Sequence, residues 1–385
     1  MPERVCHIVP AVPPEFNGLG DYARQLWRHW PEPKPEWHVA ALRVPAGAAQ
    51  AWPGVTFHEF QPTAESLLEA LLESRAETVA LHYVGHGYHP KGVPLWLPKA
   101  LARWKPATGG RLVTFFHELF AVAPPWRMTA YLTPVAILLL RRLVSLSDDC
   151  ATNCELYARQ IRTYGGLPIT ARVIPVGSNV PSASPARPWT GETVPEGGFR
   201  VAVFGSYGSR VLAARQHGRL LTRMRQLGLL HSLTLIGREG DGKDVELVRT
   251  FCAPATRFDA SEDEVARELS SAHLCPTHAD ADRLGKSGVV AAACANGAVP
   301  IVAAPSRAVG PYVPNPPRNP NHAIGVLTDP ERLCTVRRAV EKHAQLSSWP
   351  AIVQDWLSLA GGPGGGDAAT AACSRQQPGM EFLRR

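Results

Sequence analysis

No stretch of this 385-residue chain is long and apolar enough to span a bilayer. The greasiest run, Val135-Ala-Ile-Leu-Leu-Leu140, ends on Arg141 and Arg142. It reads as a buried helix, with a helix resting on a membrane surface as the alternative. The eight cysteines lack CxxC spacing, and Cys6, Cys275 and Cys294 lie within apolar runs. That pattern argues against a disulfide framework or a zinc site and for reduced core thiols in a cytoplasmic protein. The first ten residues run straight into a strand pattern without a secretory apolar region. Basic clusters are also missing. The 40 Lys and Arg residues are dispersed, so the formal charge of +7 suits a small anionic partner better than nucleic acid.

What is present is alternation. Short apolar segments over residues 5–9, 37–42, 78–83, 111–116, 150–152 and 172–175 read as strands. Between them, residues 22–30, 65–74, 95–104, 131–145 and 154–164 read as helices. A Pro-, Ser- and Gly-rich stretch over 181–198 reads as a linker. A second series follows, with strands over 200–204, 232–236, 256–258, 273–276 and 299–303 and helices over 210–226, 244–252, 261–271 and 288–296. Such β/α alternation predicts an α/β chain with two Rossmann-like, doubly wound domains facing a cleft. The expected boundaries are 1–180 and 199–345 for the two domains, 346–360 for a C-terminal helix and 361–385 for a disordered Gly/Ala/Ser-rich tail.

One segment carries chemistry by itself. Arg283-Leu-Gly-Lys-Ser-Gly-Val-Val-Ala-Ala-Ala-Cys-Ala-Asn-Gly-Ala-Val-Pro300 reads as a polar turn, a small-residue helix and a bend into a buried strand. Lys286, Ser287, Gly288 and Val289 stand where that helix begins. Unpaired N–H groups and a partial positive charge make a helix start a phosphate site. Gly288 permits close approach of a ligand, and Lys286 adds a point charge.

Three further stretches fit the same picture. Pro13-Pro-Glu-Phe-Asn-Gly-Leu-Gly-Asp-Tyr-Ala23 is a Gly-rich loop opening a helix, with Gly18, Leu19 and Gly20 at its turn and Asp21 as a cap or a cleft carboxylate. Thr114-Phe-Phe-His-Glu-Leu-Phe120 places His117 and Glu118 at the end of a buried strand. Val203-Phe-Gly-Ser-Tyr-Gly-Ser-Arg210 is a Gly-rich turn (Gly205, Ser206) leading to Arg210. With the Gly297-Ala-Val-Pro300 bend, these motifs resemble the GT-B glycosyltransferases, closest to the retaining group known as glycosyltransferase family 4 or glycosyl transferases group 1.

The resemblance covers nearly the whole chain to about residue 360. It implies a hexosyltransferase-type enzyme moving sugar from a nucleotide-diphosphate sugar, as substrate rather than cofactor, to a glycan, lipid-linked or small-molecule hydroxyl. It implies no metal. Loop 18–20, Gly205, Ser206, Arg210 and residues 286–289 would hold the donor. His117 would meet its sugar, and Glu118 would orient His117 or cap the next segment. His117, Asp21, Arg210 and Lys286 would carry the chemistry. In one respect the chain departs from the pattern: two glutamates common in the family are replaced by Leu284 and Ala292, leaving Asp280 or Asp282 as nearby carboxylates.

The stretch Leu81 to Leu97 is dense in His and aromatic residues. His82, His86 and His89 invite a metal reading, but no carboxylate or Cys completes a set. An acceptor-side wall containing Tyr83, His86 and Tyr88 is the better expectation. Retention implies that the leaving phosphate takes the acceptor proton, whereas inversion would need Asp21 or His117 as base. The alternatives are a nucleotide-sugar epimerase of the same architecture and a non-catalytic sugar-nucleotide-binding protein. Expected location is the cytoplasm, with a peripheral position at the inner membrane face as the variant.

Overall fold

Apolar strands separated by helices pair in parallel because each helix returns the chain to the same edge of the sheet. The computed structural model describes residues 3–15, 17–119, 131–166, 170–183 and 193–360. The tail expected over 361–385 and residues 184–192 of the expected linker lie outside the described residues.

The first sheet contains β1 (Arg4–Val9), β2 (Glu36–Ala41), β3 (Val55–Glu59), β4 (Thr78–Tyr83), β5 (Arg111–Phe116), β6 (Asp149–Thr152) and β7 (Arg172–Val173). Their order is β3-β2-β1-β4-β5-β6-β7, with every pair parallel. The second contains β8 (Phe199–Phe204), β9 (Leu230–Gly237), β10 (Ala255–Phe258), β11 (Leu274–Thr277), β12 (Val299–Val302) and β13 (Val313–Pro314), in the order β10-β9-β8-β11-β12-β13. Its pairs are parallel too. Both orders reverse beside the first strand, at β1/β4 and β8/β11. That switch point is where open α/β sheets leave a crevice at the carboxyl ends of their strands.

Periodicity misses β3 and β13. The first is an edge strand whose five residues are only partly covered, and the second is two residues long. Central strands are legible because both faces are covered: all six residues of β4 are buried. Two apolar clusters sandwich each sheet. The helix Thr133–Leu146 packs Leu139, Leu140, Leu143 and Val144 into one of them, while Leu138 is exposed. Among the described residues, no helix is long and apolar enough to cross a membrane. Cys6, Cys275 and Cys294 are free and buried, and burial pushes the first two thiols up to about 12.

The last helix, Trp349–Ala360, leaves the second half of the chain and lies on the first sheet. Trp349, Ile352, Val353, Trp356 and Leu359 are buried there. Covering such side chains stabilises the arrangement by about 2 kcal/mol each relative to exposure. Trp356 donates from Nε1 to the Tyr22 hydroxyl at 3.0 Å, and Trp349 to the Ser178 carbonyl at 2.7 Å. The helix therefore clasps the two sheet-centred halves, and the segments that follow β5 and β11 face each other.

The helix after β1 begins earlier than its apolar periodicity indicates, at Gly18–His29. Its cap is Asn17, whose Oδ1 accepts from the amides of Leu19 (3.0 Å) and Gly20 (3.3 Å). Asp21 does not cap it; a full turn in, its amide is already bonded to the Asn17 carbonyl. Asn17→Ala is expected to cost about 1 kcal/mol, read as a lower urea midpoint with an unchanged slope.

Candidate functional site

On the first sheet, side chains of one face recur every second residue. The register aligns His7 with Ala80, so His82 stands two residues further along on the same face. His82 aligns with Phe115, and His117 stands two residues beyond that. The three histidines therefore climb diagonally across β1, β4 and β5 to the carboxyl edge. His7 Nδ1 lies 2.9 Å from His82 Nε2, and His82 Nδ1 lies 3.0 Å from His117 Nε2.

The surroundings are aromatic. Trp37 stacks on His7 at 4.4 Å between centroids, Tyr22 meets His117 edge-on at 4.9 Å, and Phe115 lies 4.3 Å from His117. Burial holds His7 and His117 well below the ordinary imidazole range, and it lowers His82 to about 3. Nearby His82 and Lys286 depress His117 further. His117 therefore stands at the crevice as a neutral ring. Its loop is fixed by backbone donation to the Tyr83 carbonyl at 3.0 Å and by Asn153 Nδ2, which donates to the His117 carbonyl at 2.9 Å.

The opposing wall is the turn Ala281–Lys286 and the helix Gly288–Ala295. Ser287 caps the helix, its Oγ accepting from the Val290 amide at 3.3 Å. The amides of Gly288 and Val289 belong to the first turn, which a helix leaves without internal partners. A Cβ at Gly288 would meet nothing within 4 Å, so the space beside it is open to a ligand. Val289 packs toward Gly205, whose Cβ would sit 3.2 Å from Val289 Cγ2.

The two walls touch. Lys286 forms an ion pair with Glu118, each about one-third exposed. Glu118 thus turns to the lysine opposite and neutralises it, while the segment it was expected to cap lies outside the described residues. The Gly285 carbonyl accepts from the Val176 amide at 2.8 Å, and a Cβ at Gly285 would lie 2.1 Å from the Asn153 carbonyl. Backbone, not a flexible side chain, blocks that position. Gly285→Ala is expected to force the turn off the first half and to cost about 2 kcal/mol, measured by chemical unfolding.

Several expected site residues are placed elsewhere. Arg210 does not face the crevice. It is fully buried, donating to Asp244 Oδ2 (2.6 Å), the Gly205 carbonyl (2.8 Å) and the Arg238 carbonyl (2.7 Å), with Phe258 beneath it. Each of its three guanidinium nitrogens is engaged in bracing the turns after β8 and β9. Gly205, at φ +133, adopts a backbone that suits glycine, and Ser206 caps the helix Tyr207–Gln226. Tyr83 is buried against Phe116 and does not form an acceptor wall. Tyr88 is buried as well, its hydroxyl 2.9 Å from the Ile8 and His82 carbonyls, where it ties β1 to β4. His86 is exposed and donates from Nδ1 to the Pro90 carbonyl at 3.2 Å. His82, His86 and His89 do not converge: among the described residues no His/Cys/Asp/Glu group is arranged to hold a metal.

Gly18 and Gly20 are both helical. Gly18 faces open space, whereas a Cβ on Gly20 would strike the Ala11 carbonyl at 2.3 Å. Leu19 packs against the apolar cluster behind the loop. Asp21 lies 3.4 Å from Arg24, and burial raises its carboxyl above the ordinary range, with Glu262 of the second half adding to the rise. Leu284 and Ala292 are buried among apolar neighbours, and Asp280 is paired with Arg283. The sequence reading overlooked His7, Asn153 and Gly285. Only the strand register or a contact between halves reveals them; the signal available for His7 was a histidine in the middle of an apolar first strand.

No family model matches this chain, and no curated protein matches it in sequence. Solved structures do match in shape. Sucrose-phosphate synthase of Thermosynechococcus elongatus is 16% identical, with 93% of this chain and 98% of that one covered at a TM-score of 0.60. The α,α-trehalose 6-phosphate synthase of Burkholderia multivorans is 10% identical, with 97% and 100% covered at 0.57. WaaG, a glycosyltransferase involved in lipopolysaccharide biosynthesis, is 13% identical, with 93% and 100% covered at 0.55. Together with the two parallel sheets, their switch points and the helix that crosses back, these likenesses establish that the chain has the GT-B fold.

Proposed function

We propose that this chain is a glycosyltransferase that moves a sugar from a nucleotide-diphosphate donor to a hydroxyl acceptor. One observation carries the reading: Lys286 and the first turn of the helix Gly288–Ala295 face His117 and Glu118 across the crevice. Breaking the bond between an anomeric carbon and a diphosphate gathers negative charge on the leaving group. Lys286 and the helix amides stand ready for that charge, and preorganised donors are worth most where charge develops. The exposed pair with Glu118 is worth about 1 kcal/mol or less, so an arriving diphosphate can take the lysine over at small cost.

The sugar would then lie toward His117, whose ring offers a hydrogen bond in a water-poor aromatic pocket. We read the reaction as retaining, as the resemblance implies; a neutral imidazole well below its ordinary range is a weak base, and Asp21 lies a helical turn into its own element. With the diphosphate charge met by Lys286 and the helix start, we read the transfer as independent of a metal. That one structural neighbour, an α-glucosyltransferase, was solved with UDP favours a uridine donor as the first to try. The acceptor class is a glycan, lipid-linked or small-molecule hydroxyl.

The test is mass-spectrometric turnover of a nucleotide-sugar panel by the purified full chain, with and without pooled acceptor hydroxyls. Nucleoside diphosphate released with transfer of the sugar supports the reading. Binding of a nucleotide sugar with no transfer to any acceptor overturns it in favour of a binding protein.

A further inference from the structure

The staircase of histidines has two possible proton orders, and the structure distinguishes them. Each contact between rings needs one N–H and one lone pair. Three neutral rings therefore point all their protons one way along His7, His82 and His117. If the protons point inward, toward His7, its Nε2 must carry hydrogen. That atom is enclosed and has no partner, and a buried N–H left without an acceptor costs that group's full desolvation penalty. If they point outward, His7 Nε2 holds only a lone pair, the milder omission. At the other end, His117 Nδ1 is the ring edge left over once Nε2 is bonded to His82, and it is not among the enclosed side-chain atoms that lack a partner. An N–H there can be satisfied by water or a ligand in the crevice.

We infer that His7 and His82 are positioning residues that fix His117 as the Nδ1–H tautomer, so that it presents a hydrogen-bond donor, and not a base, to a hydroxylated ligand in the crevice. With Nδ1 protonated and Nε2 bonded to His82, the ring has no lone pair facing the crevice. It cannot take a proton from an acceptor hydroxyl, which removes it as the general base of an inverting transfer. It suits an oxygen acceptor on the ligand instead, such as a sugar hydroxyl. Trp37, Phe115, Tyr22 and Trp356 flank the chain without charge; the cation that acts on His117, Lys286, is itself paired with Glu118, so the hydrogen bonds set the order. The sugar-hydroxyl part of this inference rests on the transferase reading; the tautomer part does not.

Neutron diffraction from deuterium-exchanged crystals of the ligand-free chain reads the order directly. Deuterium on Nδ1 of His7, His82 and His117 is expected; deuterium on Nε2 of His82 or His117 overturns the inference. A second measurement isolates His82. In His82→Leu, His117 Nε2 loses its donor, and the histidine 15N shifts should move toward the Nε2–H tautomer. In His82→Gln, the side-chain amide can still donate and should preserve Nδ1–H. An unchanged His117 in the leucine variant would remove His82 from the positioning role. Where a turnover assay exists, KM for the sugar donor should rise about tenfold in His82→Leu, the loss of one oriented hydrogen bond, and recover in His82→Gln. Nδ1 deuterium without turnover would leave the tautomer standing and defeat only the transferase reading; turnover with the opposite tautomer would do the reverse.

Discussion

Lys286→Ala is expected to lower kcat/KM for the nucleotide sugar by about 10²- to 10³-fold, the range for losing one preorganised donor to developing charge. The loss should fall mainly on kcat. A diphosphate is already charged in the ground state, but the bond-breaking oxygen gains its charge only as the bond lengthens, and an interaction that strengthens there acts on the chemical step. Folding should be nearly untouched. The Lys286–Glu118 pair is about one-third exposed on each side, and such pairs contribute about 1 kcal/mol or less. Steady-state kinetics beside urea unfolding therefore separate the roles. A variant with unchanged kcat/KM would show that Lys286 is only a brace between halves. One with raised KM and unchanged kcat would mark it as a ground-state anchor. Glu118→Gln makes the complementary case: freeing the lysine should leave turnover within a few-fold of the parent.

The contrast between Lys286 and Arg210 shows what a sequence can and cannot say about a basic residue. Both follow a Gly- or Ser-containing turn at the start of a helix, and both were expected to meet phosphate. Lys286 stands before its helix cap, so its side chain leaves the helix toward the crevice. Arg210 stands inside its helix, one turn past the Ser206 cap, and points inward to Asp244, 34 residues away. Nothing within the local motif announces Asp244 as a partner. Tyr83 and Tyr88 fail for a related reason: an aromatic residue beside a crevice reads alike whether it lines the crevice or closes the core behind it. The β/α alternation, by contrast, is legible because central strands covered on both faces leave unbroken apolar runs. Partners separated by 75 residues, as His7 and His82 are, come together only through the register of paired strands. Glu118 and Lys286, 168 residues apart, meet only when the two halves face each other.

Acid should unfold this protein early, and the histidines should set the slope. His7, His82 and His117 are buried and held below their ordinary range by that burial. In the unfolded chain each titrates near 6.5. Between those limits the unfolded state binds more protons than the folded one, so stability rises with pH there and falls as pH drops. The contribution is fully present above about pH 6.5 and is lost as pH falls toward the folded values, which His82 places at about 3. Each group adds up to about 1.4 kcal/mol per pH unit, so the three give roughly 4 kcal/mol per unit once the unfolded rings are charged. His217, buried and lowered to about 4, acts in the same direction. Asp21, Asp149 and Asp355, raised by partial burial, oppose it, because protonation favours their folded state; their partial exposure makes them the smaller effect. Against a total stability of about 5–15 kcal/mol, a slope of that size is enough to unfold the protein in acid, at about pH 5 for the low end of that range. Urea midpoints measured from pH 8 to 5 should hold steady above pH 7 and then decline steeply. His7→Leu, with one ring fewer beside His82, His117, His217 and His273, should decline less steeply by one ring's share, up to about 1.4 kcal/mol per unit. A midpoint that stays level from pH 7 to 5 would mean that the rings take up protons without unfolding, and the crevice would then hold a charged His117 in mild acid.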